Sequence, residues 1–190
     1  MNFRLLPREF YLQPTIEVAR ALLGCVLEMS GPHGERRGGR IVEVEAYLPF
    51  IDQSAHSFRG LTRRTRVLFG PPGRAYVYLC YGMHHCLNIV AEPEGTPGCV
   101  LIRGVEGIGD GPGKLTRALG ITLEHYGCDL TRGPLTVRRG RAPLAIEVTP
   151  RIGIRQSAEL PLRFVARDRL SPAIRFLRLG HPYTPIEGGR

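Results

Sequence analysis

Glycine and proline interrupt this chain so often that it has little room for long helices. The 190 residues include 24 Gly and 16 Pro, spread throughout, and the apolar stretches between them are short. Frequent breaks of this kind are typical of short elements joined by many turns. No apolar stretch has the length that a helix needs to cross a bilayer, and no repeat or long linker divides the chain. We therefore expect one domain over residues 1–190, large enough to bury a core.

The spacing of apolar residues between these breaks predicts mostly strands. Strand-like runs lie at 40–47, 75–81, 85–91, 99–103, 143–149 and 160–166. The second and third runs form a predicted hairpin around Gly82-Met83-His84. Short helices are predicted at Pro14–Leu23 and Lys114–Leu119, each followed by a glycine. Because strands and helices do not alternate regularly, the pattern favours an α+β domain on a largely antiparallel sheet.

The charge balance points to nucleic acid as the partner. Lys and Arg total 26 against 17 acidic residues, a net charge of +9, and Lys114 is the only lysine. Arginine binds phosphate through a planar fork of donors, and a basic domain of this kind is typical of nucleic-acid binding. Four arginines, mixed with hydroxyl residues, predict a phosphate-binding loop; they are Arg59, Arg63, Arg64 and Arg66. A merely solvated run of charges is the alternative.

The run at 40–47 carries two carboxylates inside an apolar strand. Alternation would place Val42, Val44 and Ala46 on one face, and Glu43, Glu45 and Tyr47 on the other. Two carboxylates about 7 Å apart disfavour each other's ionisation, and one of them could serve as a base. The alternative is an exposed polar face on an edge strand.

Tyrosines cluster around the predicted hairpin. Tyr76 and Tyr78 share a strand face, and Tyr81 lies at the tip beside Gly82. An aromatic side chain at an exposed tip can wedge into a base stack, and tyrosines on a pocket wall can stack on an extruded base. Packing in the core is the alternative for any single tyrosine.

The sequence predicts no metal and no cofactor. The five cysteines have no C-x-x-C spacing, and the adjacent His84 and His85 would point to opposite faces of a strand. The run ending in Lys114-Leu115 lacks the glycine spacing and the Ser/Thr of a nucleotide-binding P-loop. The first residues lack the apolar stretch of a secretory signal, which favours a cytoplasmic location.

Several segments, in this order, resemble the alkyladenine (3-methyladenine) DNA glycosylase family over about Phe10 to Val165. They are Gly39–Tyr47, Ala55-His56-Ser57, Tyr76-Val77-Tyr78, Tyr81-Gly82-Met83, Asn88, Val100–Arg103 and Gly111–Leu115. The resemblance implies a single mixed domain on a curved sheet, with a β-hairpin that protrudes into the DNA minor groove.

The resemblance also implies roles around a flipped nucleotide. Glu45 would be the general base that activates water, with Glu43 a weaker candidate. Tyr47, His56 and Tyr78 would line the base pocket.

On the same grounds, further residues would control specificity and hold the DNA. Asn88 would crowd the exocyclic amine of guanine, and Arg103 would lie beside the flipped nucleotide. Tyr81 would fill the gap left in the duplex, with Met83 sharing the hairpin tip, and Lys114 would lie near the backbone.

The sequence thus predicts a monomeric DNA repair glycosylase that acts on double-stranded DNA containing damaged purines. The expected substrates are 3-methyladenine, 7-methylguanine, hypoxanthine and ethenoadenine, and hydrolysis by an activated water would leave an abasic site. Strand cutting through a Schiff base needs an amine, and Lys114 is the only lysine, so we expect a monofunctional enzyme. The alternatives are a non-catalytic nucleic-acid-binding module and a hydrolase of free nucleosides.

Two segments leave questions open. Thr62–Arg66 stands where members of the family commonly read Thr-Pro-Arg-Asn-Arg, which puts the shape of that loop in doubt. The stretch 167–190 matches no motif and would be a basic surface tail or a DNA contact.

Overall fold

A computed structural model describes residues 4–168, a part of the chain in which nine strands are joined by a few short helices. The strands are β1 Val26–Ser30, β2 Arg36–Tyr47, β3 Ala75–Cys80, β4 His84–Ala91, β5 Gly98–Val105, β6 Gly109–Asp110, β7 Leu135–Arg138, β8 Ala145–Thr149 and β9 Arg163–Arg167. The α-helices are α1 Arg8–Tyr11, α2 Thr15–Leu22 and α3 Pro112–Leu119. No helix between residues 4 and 168 combines the length and the apolar character that crossing a membrane requires. Of the stretch 167–190, residues 169–190 lie outside the described residues.

The strands form one curled antiparallel sheet. Its main order is β3-β4-β5-β2-β1-β7, with β6 added to β5, and with β9 pairing to both β2 and β8. The predicted α+β class, with a curved antiparallel sheet, is confirmed. Strand β2 lies between β5 and β1 rather than at an edge, so its carboxylates do not belong to an exposed edge strand.

The core lies between the sheet and helix α2. Leu22 of α2 and the strand residues Ile41, Val44 and Ile102 are fully buried in one apolar cluster. Each such side chain contributes about 1.5–3 kcal/mol when it leaves water completely. Because β2 supplies residues to this cluster, the core fixes the strand that carries the two glutamates.

Helix α2 lies within the range that the sequence predicts. Its first residue, Thr15, donates from its backbone N and from Oγ1 to Glu92 Oε1, at 2.6 and 2.8 Å. That carboxylate satisfies a donor that the first turn of a helix leaves free, and its charge suits the helix N-terminus. Gly24, with a φ of 89°, lets the chain turn away after the helix.

The predicted hairpin protrudes as expected, but its turn is displaced by one residue. The turn comprises Tyr81, Gly82 and Met83, and β4 already begins at His84. Tyr81 and Gly82 have φ angles of 50° and 70°, and the Met83 N–H donates to the Cys80 carbonyl at 3.1 Å. Tyr81 as well as Gly82 therefore adopts a left-handed backbone conformation, which the periodicity of the sequence does not indicate.

The alternation predicted for β2 is wrong at Val42. The register with β5 shifts around Glu43, so Ile41 enters the core and Val42 is only partly buried. Such a bulge adds a residue to one strand and reverses the faces on one side of it. After the bulge, Val44 and Ala46 face the core as predicted.

Candidate active site

Glu45 is a buried carboxylate that is held at both oxygens. Its Oε1 accepts a hydrogen bond from the backbone N–H of Ile152 at 2.8 Å, and its Oε2 accepts one from the Tyr47 hydroxyl at 3.0 Å. The side chain has no exposed surface. Donors of this kind compensate for the loss of water around a buried carboxylate and fix the direction of its oxygens.

Arg103 lies between the two carboxylates of β2. Its Nε donates to Glu43 Oε1 at 2.9 Å and lies 3.4 Å from Glu45 Oε1. Glu43 Oε1 also accepts a hydrogen bond from Arg163 Nε at 2.7 Å. Two guanidinium groups thus occupy one oxygen of Glu43.

An aromatic cluster lies on strand β3 and on the 3₁₀ turn His56–Arg59. Tyr76 and Tyr78 face the same side of β3, with ring centroids 5.4 Å apart. His56 Nδ1 lies 2.8 Å from the Tyr76 hydroxyl, and its ring meets Tyr78 edge-on at 4.6 Å. The structure therefore brings His56 and Tyr78 together, as expected for two walls of one pocket.

Packing against these rings changes the acid–base behaviour of the cluster. Loss of water around the packed side of the ring, and secondarily the Arg64 cation, lower the pKa of His56 to about 4. Burial also raises the pKa of Tyr76 to about 12 and raises the pKa of Tyr78. At neutral pH the pocket therefore presents a neutral imidazole and neutral phenols.

Tyr47 and Asn88 border the same cluster. Tyr47 and Tyr78 both pack, partly buried, against the small apolar group that contains Tyr76 and Cys99. Burial raises the pKa of Tyr47, and its neighbour Glu45 raises it further. Asn88 is buried and donates from Nδ2 to the Tyr76 carbonyl at 3.3 Å, which holds its amide against the strand that carries the aromatic rings.

The four arginines of the predicted phosphate loop are all exposed, but one of them also contacts the pocket. Arg64 places its Cζ 4.8 Å from the centroid of Tyr78 and donates from Nε to the Tyr76 hydroxyl at 3.2 Å. Arg59, Arg63 and Arg66 have exposed side chains. Arg64 thus contacts the aromatic cluster, while the other three arginines remain exposed and available to bind phosphate.

Two threonines hold this loop, and one of them, Thr65, stands where the family commonly has asparagine. The N–H of Thr62 donates to Thr65 Oγ1 at 2.9 Å, and the N–H of Thr65 donates to Thr62 Oγ1 at 3.1 Å. Thr65 Oγ1 donates to the Gly60 carbonyl at 3.0 Å. The loop therefore has its own internal hydrogen bonds without the proline and asparagine of its relatives.

The remaining sequence-predicted residues lie at the hairpin tip and on helix α3. Tyr81 and Met83 are 86% and 72% exposed at the tip. Lys114 is exposed on α3 and forms an ion pair with Asp110 at 2.9 Å. A Cβ on its neighbour Gly113 would lie 2.9 Å from the Cβ of His84, the residue that follows the turn, so Lys114 is near the turn end of the hairpin.

Sequence reasoning missed the residues that hold Glu45 and Tyr47 from the opposite side. Arg151 and Asp52 form a buried ion pair, and the next residue, Ile152, supplies the backbone donor to Glu45. Arg151 lies about a hundred residues away from Glu45 in the chain. A backbone donor has no side-chain signature, so no pattern in the sequence could identify it.

The candidate site brings together carboxylate, guanidinium, phenol and imidazole groups. Within residues 4–168, no three His, Cys, Asp or Glu side chains come together in a way that could hold a metal ion. The chemistry that these groups support is acid–base and electrostatic: one carboxylate acceptor, one adjacent cation and a set of stacking surfaces.

Comparison with known proteins identifies the family. The family model described as methylpurine-DNA glycosylase matches residues 9–109 and 106–170, which is most of the chain. The chain belongs to the methylpurine-DNA glycosylase family. This confirms the resemblance seen in the sequence, and it indicates a DNA glycosylase, a hydrolase of DNA repair.

Individual relatives agree with the family match. A protein from Methanoculleus marisnigri is 45% identical over 184 residues, covering 84% of this chain and 93% of its own. One from Myxococcus xanthus is 45% identical over 177 residues, covering 86% and 90%. One from Methanocella arvoryzae is 44% identical over 192 residues, covering 89% and 94%. All three are provisionally named 3-methyladenine DNA glycosylase.

Proposed function

We propose that this chain is a monofunctional DNA glycosylase that removes damaged purines from duplex DNA by hydrolysis, with Glu45 as the general base. The observation that carries the proposal is the buried Glu45 carboxylate, which is oriented by Ile152 and Tyr47 and connects through Tyr47 to the aromatic cluster. A binding module would have no need of a buried carboxylate held in this way.

In the proposed reaction, Glu45 accepts a proton from a water molecule. A carboxylate offers about four lone-pair positions, and Ile152, Tyr47 and the more distant Arg103 occupy three of them, so one acceptor position remains for a water hydrogen bond. The water oxygen bonds to C1′ of the flipped nucleotide, and the C1′–N bond breaks. The electron pair of that bond leaves with the base: a cationic methylated purine departs as a neutral base, and a neutral purine takes up a proton from solvent water as it departs. An abasic site remains.

The pocket suits an altered purine. Methylation at N3 or N7 makes the purine cationic and weakens its glycosidic bond, and a cationic ring stacks well on electron-rich aromatic faces. We assign this stacking to Tyr47, Tyr78 and the neutral His56. Asn88 would discriminate against guanine through its exocyclic amine. Release of bases as different as hypoxanthine and ethenoadenine would fit a site that recognises shape and stacking.

The exposed side of the molecule suits double-stranded DNA. Tyr81, with Met83 beside it, would fill the space that the flipped nucleotide leaves, and wedges of this kind unstack a base step for a few kcal/mol. Lys114 and the loop arginines would contact phosphates, and Arg103 would lie beside the flipped nucleotide. Because Lys114 is the only lysine and pairs with Asp110, we assign the nucleophile to water rather than to an amine. The monomeric state and the cytoplasmic location stay predictions.

Base release from duplexes that carry hypoxanthine, ethenoadenine or a methylated purine tests this proposal, with a chelator present. We expect wild-type protein to release base. Glu45→Gln should release it at least about 10²-fold more slowly, which is the lower end of the contribution of a general base. The variant should still bind the duplex. Glu28→Gln, which alters a buried carboxylate on β1, is the matched control. Normal release by Glu45→Gln would show that the role of Glu45 is wrong.

Two further outcomes separate the alternatives. No release by wild-type protein from any duplex would favour a non-catalytic nucleic-acid-binding module. Release from free nucleosides, without the steep loss at high salt that phosphate contacts cause, would favour a nucleoside hydrolase.

A further inference from the structure

Arg151 and Asp52 form a fully buried ion pair next to the candidate base. Both side chains have no exposed surface. Arg151 donates from Nη1 and Nη2 to the two carboxylate oxygens of Asp52, the Nη2–Oδ1 distance being 2.9 Å. Asp52 also accepts hydrogen bonds from the N–H groups of Leu48 and Ser54, at 3.2 and 3.0 Å. The pair therefore fixes the loop that follows Tyr47.

The same guanidinium reaches strand β2 directly. Nη1 donates to the carbonyl of Ala46, the residue between Glu45 and Tyr47, at 3.0 Å. Its Cζ lies 4.6 Å from the centroid of the Tyr47 ring. Nη2 donates to the Ser157 carbonyl at 3.2 Å. One side chain thus joins β2, the loop after it and the segment 151–157.

Both contacts that orient Glu45 depend on this arrangement. The donor to Oε1 is the N–H of Ile152, which is the residue bonded to Arg151. The donor to Oε2 is the Tyr47 hydroxyl, and Arg151 packs against one face of that ring. We propose that Arg151 and Asp52 are positioning residues that set the direction of the Glu45 carboxylate and leave the other face of Tyr47 for the base. This inference rests on the proposed function.

A role in stability alone explains the arrangement poorly. Removing two charges from water offsets most of the attraction between them, so a buried ion pair adds little net stability. Arg151 Nε is also buried and has no hydrogen-bond partner among residues 4–168, which is unfavourable. What the pair does supply is geometry, because the planar fork of arginine holds several acceptors in fixed directions.

Arg151→Lys is the main test, because it keeps the cation beside Asp52 but loses the fork. We expect the single-turnover rate of base release to fall roughly 10²-fold, the size of effect that a misplacement of about 1 Å can produce. The dissociation constant for lesion DNA should stay within about threefold of wild type, since the Arg151 side chain has no exposed surface with which to contact DNA. Amide exchange at Ile152, measured by NMR, should become faster than in wild type.

Controls make the outcome decisive. Glu28→Gln removes another buried carboxylate that pairs with arginine, and it should keep the wild-type rate at a comparable melting temperature. A folded Arg151→Lys variant with the wild-type rate would overturn the proposal, as would a rate loss that Glu28→Gln shares. If Arg151→Lys does not fold, Asp52→Asn, which keeps the side-chain shape, decides by the same rate criterion.

Amide exchange separates this proposal from the proposed function. If wild-type protein releases no base, the proposed function fails. In that case, faster exchange at Ile152 in the folded variant still supports Arg151 as the residue that holds the Glu45 donor, and unchanged exchange overturns it.

Discussion

At the residue scale, Glu43 and Glu45 show how contacts separate two candidates that a pattern treats alike. They lie two residues apart on β2, and both approach Arg103. Glu43 accepts hydrogen bonds from two arginines, whereas Glu45 is buried and accepts hydrogen bonds from a backbone N–H and a phenol. The preference for Glu45 came from the family resemblance and stays a prediction, and the contacts show only that the two carboxylates have different surroundings.

His56 provides a test of the pocket that needs no DNA. Its pKa is lowered to about 4, below the ordinary value of 6.5, by loss of water and then by Arg64. Between pH 6.5 and 4, the unfolded chain therefore binds a proton that the folded protein does not, so the free energy of unfolding falls as the pH falls through this range. We expect an NMR titration of the ring to show a midpoint near 4.

The variant His56→Gln extends this test. It should show a smaller drop in the free energy of unfolding between pH 7 and 5 than wild type, measured by urea unfolding. A ring that titrates near 6.5 in the folded protein would show that the histidine is not packed against Tyr76 and Tyr78 as described.

At the element scale, the bulge in β2 determines which face of the strand carries each of its glutamates. It lies where Glu43 pairs with Gly104 of β5, and it changes which face of β2 each residue occupies. A Cβ on Gly104 would lie 3.1 Å from the Cβ of Glu43 and 3.3 Å from Cγ2 of Val42. Glycine at this position lets the bulged strand approach closely.

Gly104→Ala should therefore affect both stability and activity. Crowding of this kind costs about 1–3 kcal/mol in a packed interior. Because Glu43 would have to move and its partner Arg103 also approaches Glu45, we expect slower base release as well. Urea unfolding and single-turnover kinetics measure the two effects. Gly70→Ala is the control, since its Cβ would only meet Val67 O at an ordinary 3.5 Å.

At the scale of the whole molecule, the charge of +9 is arranged so that part of it stays available for DNA. Some arginines are used inside the protein, such as Arg103 and Arg151, which pair with buried carboxylates. Arg63 and Arg66 remain exposed in the loop whose neighbour Arg64 contacts the pocket. The net charge does not show which arginines form ion pairs inside the protein and which remain free to meet DNA, whereas the exposed fraction of each side chain does.

The salt dependence of DNA binding tests this division. We expect the double variant Arg63→Gln/Arg66→Gln to reduce the slope of log binding constant against log salt by about 2, because each lost phosphate contact releases about one counterion fewer. Fluorescence anisotropy at several salt concentrations gives the slope. Arg139→Gln, an exposed arginine after β7 at the far end of the sheet, should leave it unchanged. Equal slopes for all three proteins would exclude this loop from the phosphate contacts.

The sequence by itself determined the class of the fold, the hairpin and most of the strands. These follow from local spacing, which records which side chains face the core and where turns occur. Strands β1, β6 and β7 and the bulge at Val42 were not predicted, because pairing partners and register are set across the sheet. Only the tertiary structure brought Arg151, Asp52 and the Ile152 N–H to Glu45. Contacts between distant segments, and backbone donors above all, have no local pattern, since any residue can supply an N–H.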